Sequence, residues 1–466
     1  HFSIFKNGYI RPHNKKVSMK SSLFSLDIPK KMGDLRLWGN ISGSAKSLVI
    51  RELANEYAGF VVVLTPDFLT AHQLEKELNI FVDNQDQTPI LHFPDWETLA
   101  YDNFSPHRDI ISERLMTLYR LPRLQRGILI VPVSTVMHKL CPKEYIYKNA
   151  MLLDKGDNLN LDEIRKILIT SGYRQASVVM EHAEFAIRGA ILDLYPMGAK
   201  FPYRIDLFDE EVDSIRTFNP ENQRSLEQVE SICLLPAQEY QLNEESIAKF
   251  RTNWRSRFSG DPINCPMYQD VSDGHASPGL EYYLPLFFEE TESLFSYLPE
   301  DCLIIKLEKV IDAAKEFSRQ VGERYDQYQH DITRPILAPE EFMLQPNLLF
   351  EKIKKFPQVQ FEKDPVTEKV GRFNLPVGPI PDIKIEPKME SPTEKLQEFI
   401  KTSDSKIIFA VESPGRREAL KSTLAKGKIF PKDVNSWREC LEHPEKILII
   451  VAAIEQSIIL PENNLA

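Results

Sequence analysis

Residues 34–67 constrain this chain more than any other stretch. "DLRLWG" (34–39) alternates apolar and polar side chains, which is the period of a strand. "SAKSLVIRELANEY" (44–57) sets Leu48, Leu53 and Ala54 at helical spacing, and "GFVVVLTPD" (59–67) is a valine-rich run of the kind buried on both faces. Strand, helix and strand in such close succession form a crossover unit, so the two strands lie parallel and helices cover their sheet. A second unit follows, with "FLTAHQLEKELNIF" as helix and "PILHFPD" as strand. "ISERLMTLYRLPRL" adds a helix, and "GILIVPVSTVM" (127–137) adds a buried strand with its continuation. The first part of the chain is therefore α/β on a parallel sheet.

"GNISGSAKS" (39–47) lies between the first strand and helix, where a phosphate-binding loop belongs. Aligned on Lys46 and Ser47, the pattern G-x-x-x-x-G-K-[ST] requires glycine where Asn40 and Ala45 stand. Those glycines let the backbone wrap phosphates and take conformations that side chains resist. A Cβ at 45 lies where a phosphate must approach, whereas Asn40 tolerates positive φ better than most residues. Lys46 without the cradle is a cation at a helix N-terminus, where the dipole opposes it. An active site would also need an apolar strand ending in Asp-Glu. The nearest candidate, "IDLFDEE" (205–211), reads as a charged hairpin turn. Asn40, Gly43, Ala45, Lys46 and Ser47 are thus read as a degenerate, inactive loop. The alternative is an active helicase or ATPase domain using Lys46.

Beyond about residue 140 the pattern changes. "NLDEIRKILITSG" (160–172) is a short helix with Asn160 as N-cap and Gly172 as its end. Closely spaced strand signals follow in "ASVVM", "EFAIRGAILDLYP", "YRIDLFDEEVDSIRTF" and "ESICLLP", with a hairpin at "DEE". Helical patterns return in "EESIAKFRTNWRSRF" and "VIDAAKEFSRQVGERYDQYQ". Seven prolines amid charges at 357–392 mark a linker, and 393–466 alternates helix and strand again. The expected division is an extension at 1–23, a parallel-sheet domain at 24–139, a small α+β antiparallel domain at 140–222, a further part at 223–356, the linker at 357–392, and a small, truncated α/β domain at 393–466.

The net charge of −11 argues against a protein that coats DNA, and no apolar run approaches the ~18 residues of a membrane helix. Five scattered cysteines without C-x-x-C spacing point away from zinc and disulfides and towards a reducing cytoplasm. His107 and Asp109 lack a third metal ligand, and "SPGRREAL" (413–420) reads as the basic start of a solvated helix rather than an arginine finger. The chain begins with His; Met19 is the expected start and the whole is expected to be the front of a longer protein. What remains is surface. Arg204, Asp206 and Phe208 share one face of their strand by period two, opposite Tyr203, Ile205 and Leu207. With Arg188 nearby, an arginine and an exposed aromatic have the composition of an interface hot spot, or they merely tidy the sheet as a cross-strand pair.

Two long segments carry a resemblance. "FPDWETLAYDNFSPHRDIISERLMTLYRLP" and "EFAIRGAILDLYPMG…FPYRIDLFDEEVDSIRTFNPENQRSLEQVESICLLPA" closely resemble the N-terminal part of the bacterial transcription-repair coupling factors, from about residue 24 to the end. The resemblance implies a UvrB-like module in the order 1a, 2, 1b, followed by domain 3. It implies that the module has lost ATP binding, and that it lacks the DNA-inserting β-hairpin of UvrB, for which "YDNFSPHRDIISERL" leaves no room. It also implies that domain 2 binds UvrA, with Arg188, Arg204 and Phe208 at the matching positions. The two arginines are expected on neighbouring strands, where truncation would abolish UvrA binding with little effect on folding. No cofactor is expected here. ATP and Mg²⁺, RNA polymerase and double-stranded DNA would be handled by motor and polymerase-interacting domains beyond Ala466. This part is expected to be a monomer with weak, non-specific DNA affinity.

Overall fold

A computed structural model describes residues 23–82, 88–383 and 393–466. The expected extension and Met19 therefore lie outside the described residues, apart from Leu23. The large sheet begins as read. β1 (Leu35–Gly39) leads into α1 (Ala45–Glu56), β2 (Phe60–Thr65), α2 (Phe68–Phe81), β3 (Ile90–His92), α3 (Arg108–Arg120) and β4 (Gly127–Pro132). β2 and β4 are buried along their whole length, as strands covered on both faces must be. The continuation of β4 turns into the short helix Val133–Met137. Between β3 and α3 the chain runs as loop, with no strand or hairpin.

The inserted unit opens with β5 (Met151–Asp154) and the helix Leu161–Thr170, whose Asn160 side chain accepts from the amides of Asp162 and Glu163. Then come β6 (Arg174–Gln175), β7 (Glu184–Arg188), β8 (Ile191–Leu194), β9 (Tyr203–Phe208), β10 (Glu211–Phe218), β11 (Ser225–Val229) and β12 (Ser231–Leu234). β6 to β11 form one sheet in the spatial order β11-β10-β9-β8-β7-β6, and β12 pairs antiparallel with β5. Two expectations need correction. β5 and β12 staple the start of this unit to its end, so it runs beyond residue 222. "ASVVM" (176–180) forms no strand; only Arg174–Gln175 does, and the segment after it caps a small cluster of Val179, Ala186 and Phe218.

The helices Glu244–Arg257 and Val310–Tyr328 stand where their periodicity put them. Between them β13 (Cys302–Lys306) joins β2 in the large sheet. β14 (Gln358–Phe361) and β15 (Arg372–Asn374) complete it, in the order β15-β1-β14-β13-β2-β4-β3, all parallel. This corrects the linker: the first part of 357–392 holds β1 on both sides, and only residues 384–392 lie outside the description. The prolines misled because they border short strands rather than replace them. The last unit is a three-stranded parallel sheet of β16 (Ile407–Val411), β17 (Lys432–Val434) and β18 (Ile447–Val451), flanked by helices Glu394–Thr402 and Pro414–Lys426. No helix of the described residues is long and apolar enough to cross a membrane.

Candidate functional site

The hairpin of β9 and β10 turns at Asp209, which takes a left-handed φ of 55°, and its register pairs Arg204 with Arg216 and Asp206 with Ser214. On the other side β8 sets Asp193 opposite Arg204, and β7 sets Arg188 opposite Ile191. Residues facing each other across antiparallel strands share a face. That face therefore carries Arg188, Asp193, Arg204, Asp206, Phe208 and Arg216, while Ile205 and Leu207 go into the core below.

β8 lies between β7 and β9, so Arg188 and Arg204 are not on neighbouring strands. Asp193 joins them. Its side chain is 1% exposed; Oδ1 accepts from Arg204 Nε at 2.7 Å, and Oδ2 accepts from Arg204 Nη2 at 2.9 Å and Arg188 Nη2 at 2.7 Å. The two arginines differ in what is left over. Arg204, 21% exposed, lays its guanidinium 4.9 Å from the centre of the Phe218 ring and spends its fork on Asp193. Those hydrogen bonds push its pKa up. Arg188 is 51% exposed and gives Asp193 a single N–H. Phe208 is 75% exposed. Arg216, ion-paired to Asp206, extends the face. Asp193 and Arg216 were not singled out from the sequence. The strand alternation that selected Arg204 also selects them, once β8 and β10 are paired with β9.

The loop after β1 is built around a different anion. Asn40 takes φ 60° and its side chain donates to the carbonyls of Leu375 and Val377, both at 2.9 Å. The asparagine thus supplies the backbone shape that a glycine would, and spends its amide on the strap after β15. Ala45 is the buried first residue of α1. At that helix N-terminus sits Glu77 of α2, fully buried, accepting from the hydroxyls of Ser44 at 2.6 Å and of Ser47. Gln73 donates to the same carboxylate at 3.0 Å, and so does the backbone N–H of Glu455 at 3.2 Å. Gln456 N–H donates to Ser44 Oγ at 3.1 Å. Lys46, half-buried, takes part in none of these bonds.

No strand of the large sheet is followed by an Asp-Glu pair among the described residues: β2 runs into Pro66, β4 into Val133 and β13 into Leu307. "IDLFDEE" is the hairpin turn, with Asp206 held by Arg216. His107 accepts from the Asp109 amide at 3.3 Å, and Asp109 pairs with His182 at 2.7 Å. No group of three metal ligands forms among the described residues. In "SPGRREAL", Ser413 caps the helix and Arg416 pairs with Glu412.

Two family descriptions match the chain: "UvrB interaction domain" over residues 151–240 and "MFD, D3 domain" over residues 399–466. The first coincides with the unit that β5 and β12 close. The transcription-repair-coupling factor of Escherichia coli (strain K12) is 40% identical over 442 residues, which is 94% of this chain and 38% of that protein. The protein of the same name from Haemophilus influenzae is 39% identical over 96% of the chain and 38% of its own length. The one from Bacillus subtilis (strain 168) is 29% identical over 58% of the chain. The chain spans about two fifths of the length of the first two relatives. With both matched domains in place and alignment over nearly all its residues, the chain corresponds to the N-terminal region of the transcription-repair-coupling factors.

Proposed function

We propose that this region is a recruitment module that docks UvrA through the polar face of its UvrB interaction domain and has no nucleotide chemistry of its own. The observation that carries the reading is an outward-facing Arg188 on the same sheet face as an exposed Phe208, two strands away, within the matched domain. A guanidinium with free N–H groups takes a partner carboxylate in two hydrogen bonds, and the ring buries area at low entropic cost. The loop geometry supports the second half: a carboxylate on Ser47 repels a phosphate or competes for its donors. Translocation with ATP and Mg²⁺, RNA polymerase displacement and double-stranded DNA binding are proposed for the longer parent, beyond residue 466.

The test is calorimetric titration of UvrA into the chain. Arg188→Ala and Phe208→Ala are each expected to weaken binding by roughly thirtyfold, the effect of losing ~2 kcal/mol at a central contact. Their melting temperatures should match the parent's. Parent-like affinity in both variants places the docking surface elsewhere. Titration with MgATP separates the rival: micromolar affinity that depends on Lys46 would make the loop an active nucleotide site.

A further inference from the structure

The degenerate loop has kept the form of a ligand site. α1 has twelve residues, the hydroxyls of its N-cap Ser44 and of Ser47 in its first turn point at one spot, and such a helix end attracts negative charge. Glu77 meets that demand. Its carboxylate accepts the Ser44 and Ser47 hydroxyls, yet it is buried with no cation bonded to it among the described residues. A buried carboxylate in that position needs further donors, and two of its bonds come from outside α1: Gln73, one turn earlier on α2, and the backbone of Glu455, which follows β18. The next residue, Gln456, binds Ser44 through its own N–H and lays its side chain against Gly43. A Cβ on Gly43 would meet Gln456 Oε1 at 2.5 Å, and Gly43 already holds φ 56°. Both a side chain and a main chain of the last unit thus occupy the space over the loop.

The surroundings make the fit specific. Trp437 of the last unit meets Phe81 of α2 edge-on at 5.0 Å between ring centres, and Gly378 N–H donates to Ile459 O at 2.8 Å. Asn40, at the position of the first lost glycine, binds the carbonyls of the strap that leads to Gly378. The departure at Asn40 thus serves the same contact.

We infer that the former phosphate loop is a docking socket whose ligand is the Glu455–Gln456 segment, with the Glu77 carboxylate standing where a phosphate would stand, so that the socket fastens the D3 unit to the large-sheet domain. The occupant is the chain itself, and a nucleotide would have to displace both the carboxylate and the segment.

Amide hydrogen exchange of the full chain reads this directly. In the parent the N–H groups of Glu455 and Gln456 are expected to be protected. Glu77→Ala should speed their exchange about tenfold or more, the loss expected for a hydrogen bond to a charged acceptor, while β2 and β4 stay protected. Glu77→Gln keeps the volume and loses the charge, so it covers the case in which the alanine variant unfolds; Gln456→Gly tests the socket from the other side and should expose the same amides. Three results overturn the inference: unprotected 455–456 amides in the parent, protection that survives Glu77→Gln and Gln456→Gly, or protection that MgATP removes. UvrA affinity in these variants should stay at the parent's value, which keeps this test separate from the docking reading.

Discussion

At the scale of the residue, Asp193 decides how the two arginines behave. Truncating Arg204 leaves that buried carboxylate with a single N–H from Arg188 and strips the Phe218 ring of its cation. Removing one partner of a buried pair costs about 3–5 kcal/mol when nothing replaces it, and somewhat less here because Arg188 remains. Arg204→Ala is therefore expected to lower the melting temperature clearly in thermal unfolding, and loss of UvrA binding in that variant alone would not place Arg204 in the contact. Arg188→Ala, on an exposed side chain, should unfold with the parent; if the two variants melt alike, Asp193 does not join them. The sequence showed that Arg204 and Phe208 share a face. It did not show what lay between Arg188 and Arg204, because period two orders residues along one strand and says nothing of which strand comes next. A second residue sets a pH dependence. Glu281 is buried beside the large-sheet loops, and that burial, with Glu239 nearby, raises its pKa to about 7 against the hydrogen bond that Ser105 donates. The folded state therefore holds a proton that the unfolded chain releases near pH 4.5. The stability from this group is present below that pH and is lost as pH rises through 7. Glu281→Gln should remove that loss and be more stable than the parent at pH 8, by up to ~3 kcal/mol. Equal stability of the two proteins across pH 5 to 8 would contradict the assignment.

At the scale of the element, α3 is the joint between the large sheet and the inserted unit. Arg114 is fully buried on it. Its Nε donates to Glu239 at 3.2 Å, its Nη1 donates to Pro94 O at 2.9 Å, and its guanidinium lies 4.3 Å from the Phe93 ring centre. Glu239 comes just after β12, so one side chain ties three segments. Arg114→Ala is expected to destabilise the chain by about 3–5 kcal/mol in urea unfolding, since it leaves Glu239 buried without its cation. A loss under 1 kcal/mol would show that water reaches the joint. Elements with strong periodicity were legible: β2 and β4 as continuous apolar runs, the helix after Asn160 from its cap, and the β9–β10 hairpin from its turn. Others were not. β14 and β15 are four and three residues long, too short for any period to emerge, and their prolines gave the opposite signal. "ASVVM" had strand composition, but Val179 is drawn into a small cluster with Phe218 and the ladder stops at Gln175. The loop after β1 showed its missing glycines plainly. Its occupant could not be read, because Glu77 lies on another helix and Glu455 nearly four hundred residues away.

At the scale of the whole molecule, the chain is a parallel-sheet body interrupted by a mainly antiparallel unit and followed by D3. The interruption is self-contained: its strands pair among themselves, and β5 with β12 bring its ends together. The body is the opposite case, and the order of its sheet has a consequence for synthesis. β1 leaves the ribosome before every other strand of its sheet, yet both of its neighbours, β14 and β15, emerge more than three hundred residues later. Closing a loop of that length costs about 5 kcal/mol of chain entropy. A nascent chain therefore carries β1 without either neighbour until residues 358–374 have emerged, while the inserted unit folds behind it. A separately expressed 151–240 is expected to give a cooperative thermal transition, and a chain stopped at 350 is expected to aggregate or bind chaperone. A soluble, cooperatively folding 1–350 would show that β1 needs neither neighbour. The late strands act as a completion signal: the body cannot close until the ribosome has passed the stretch that leads to D3, so a product that stops before residue 358 lacks a finished sheet as well as D3.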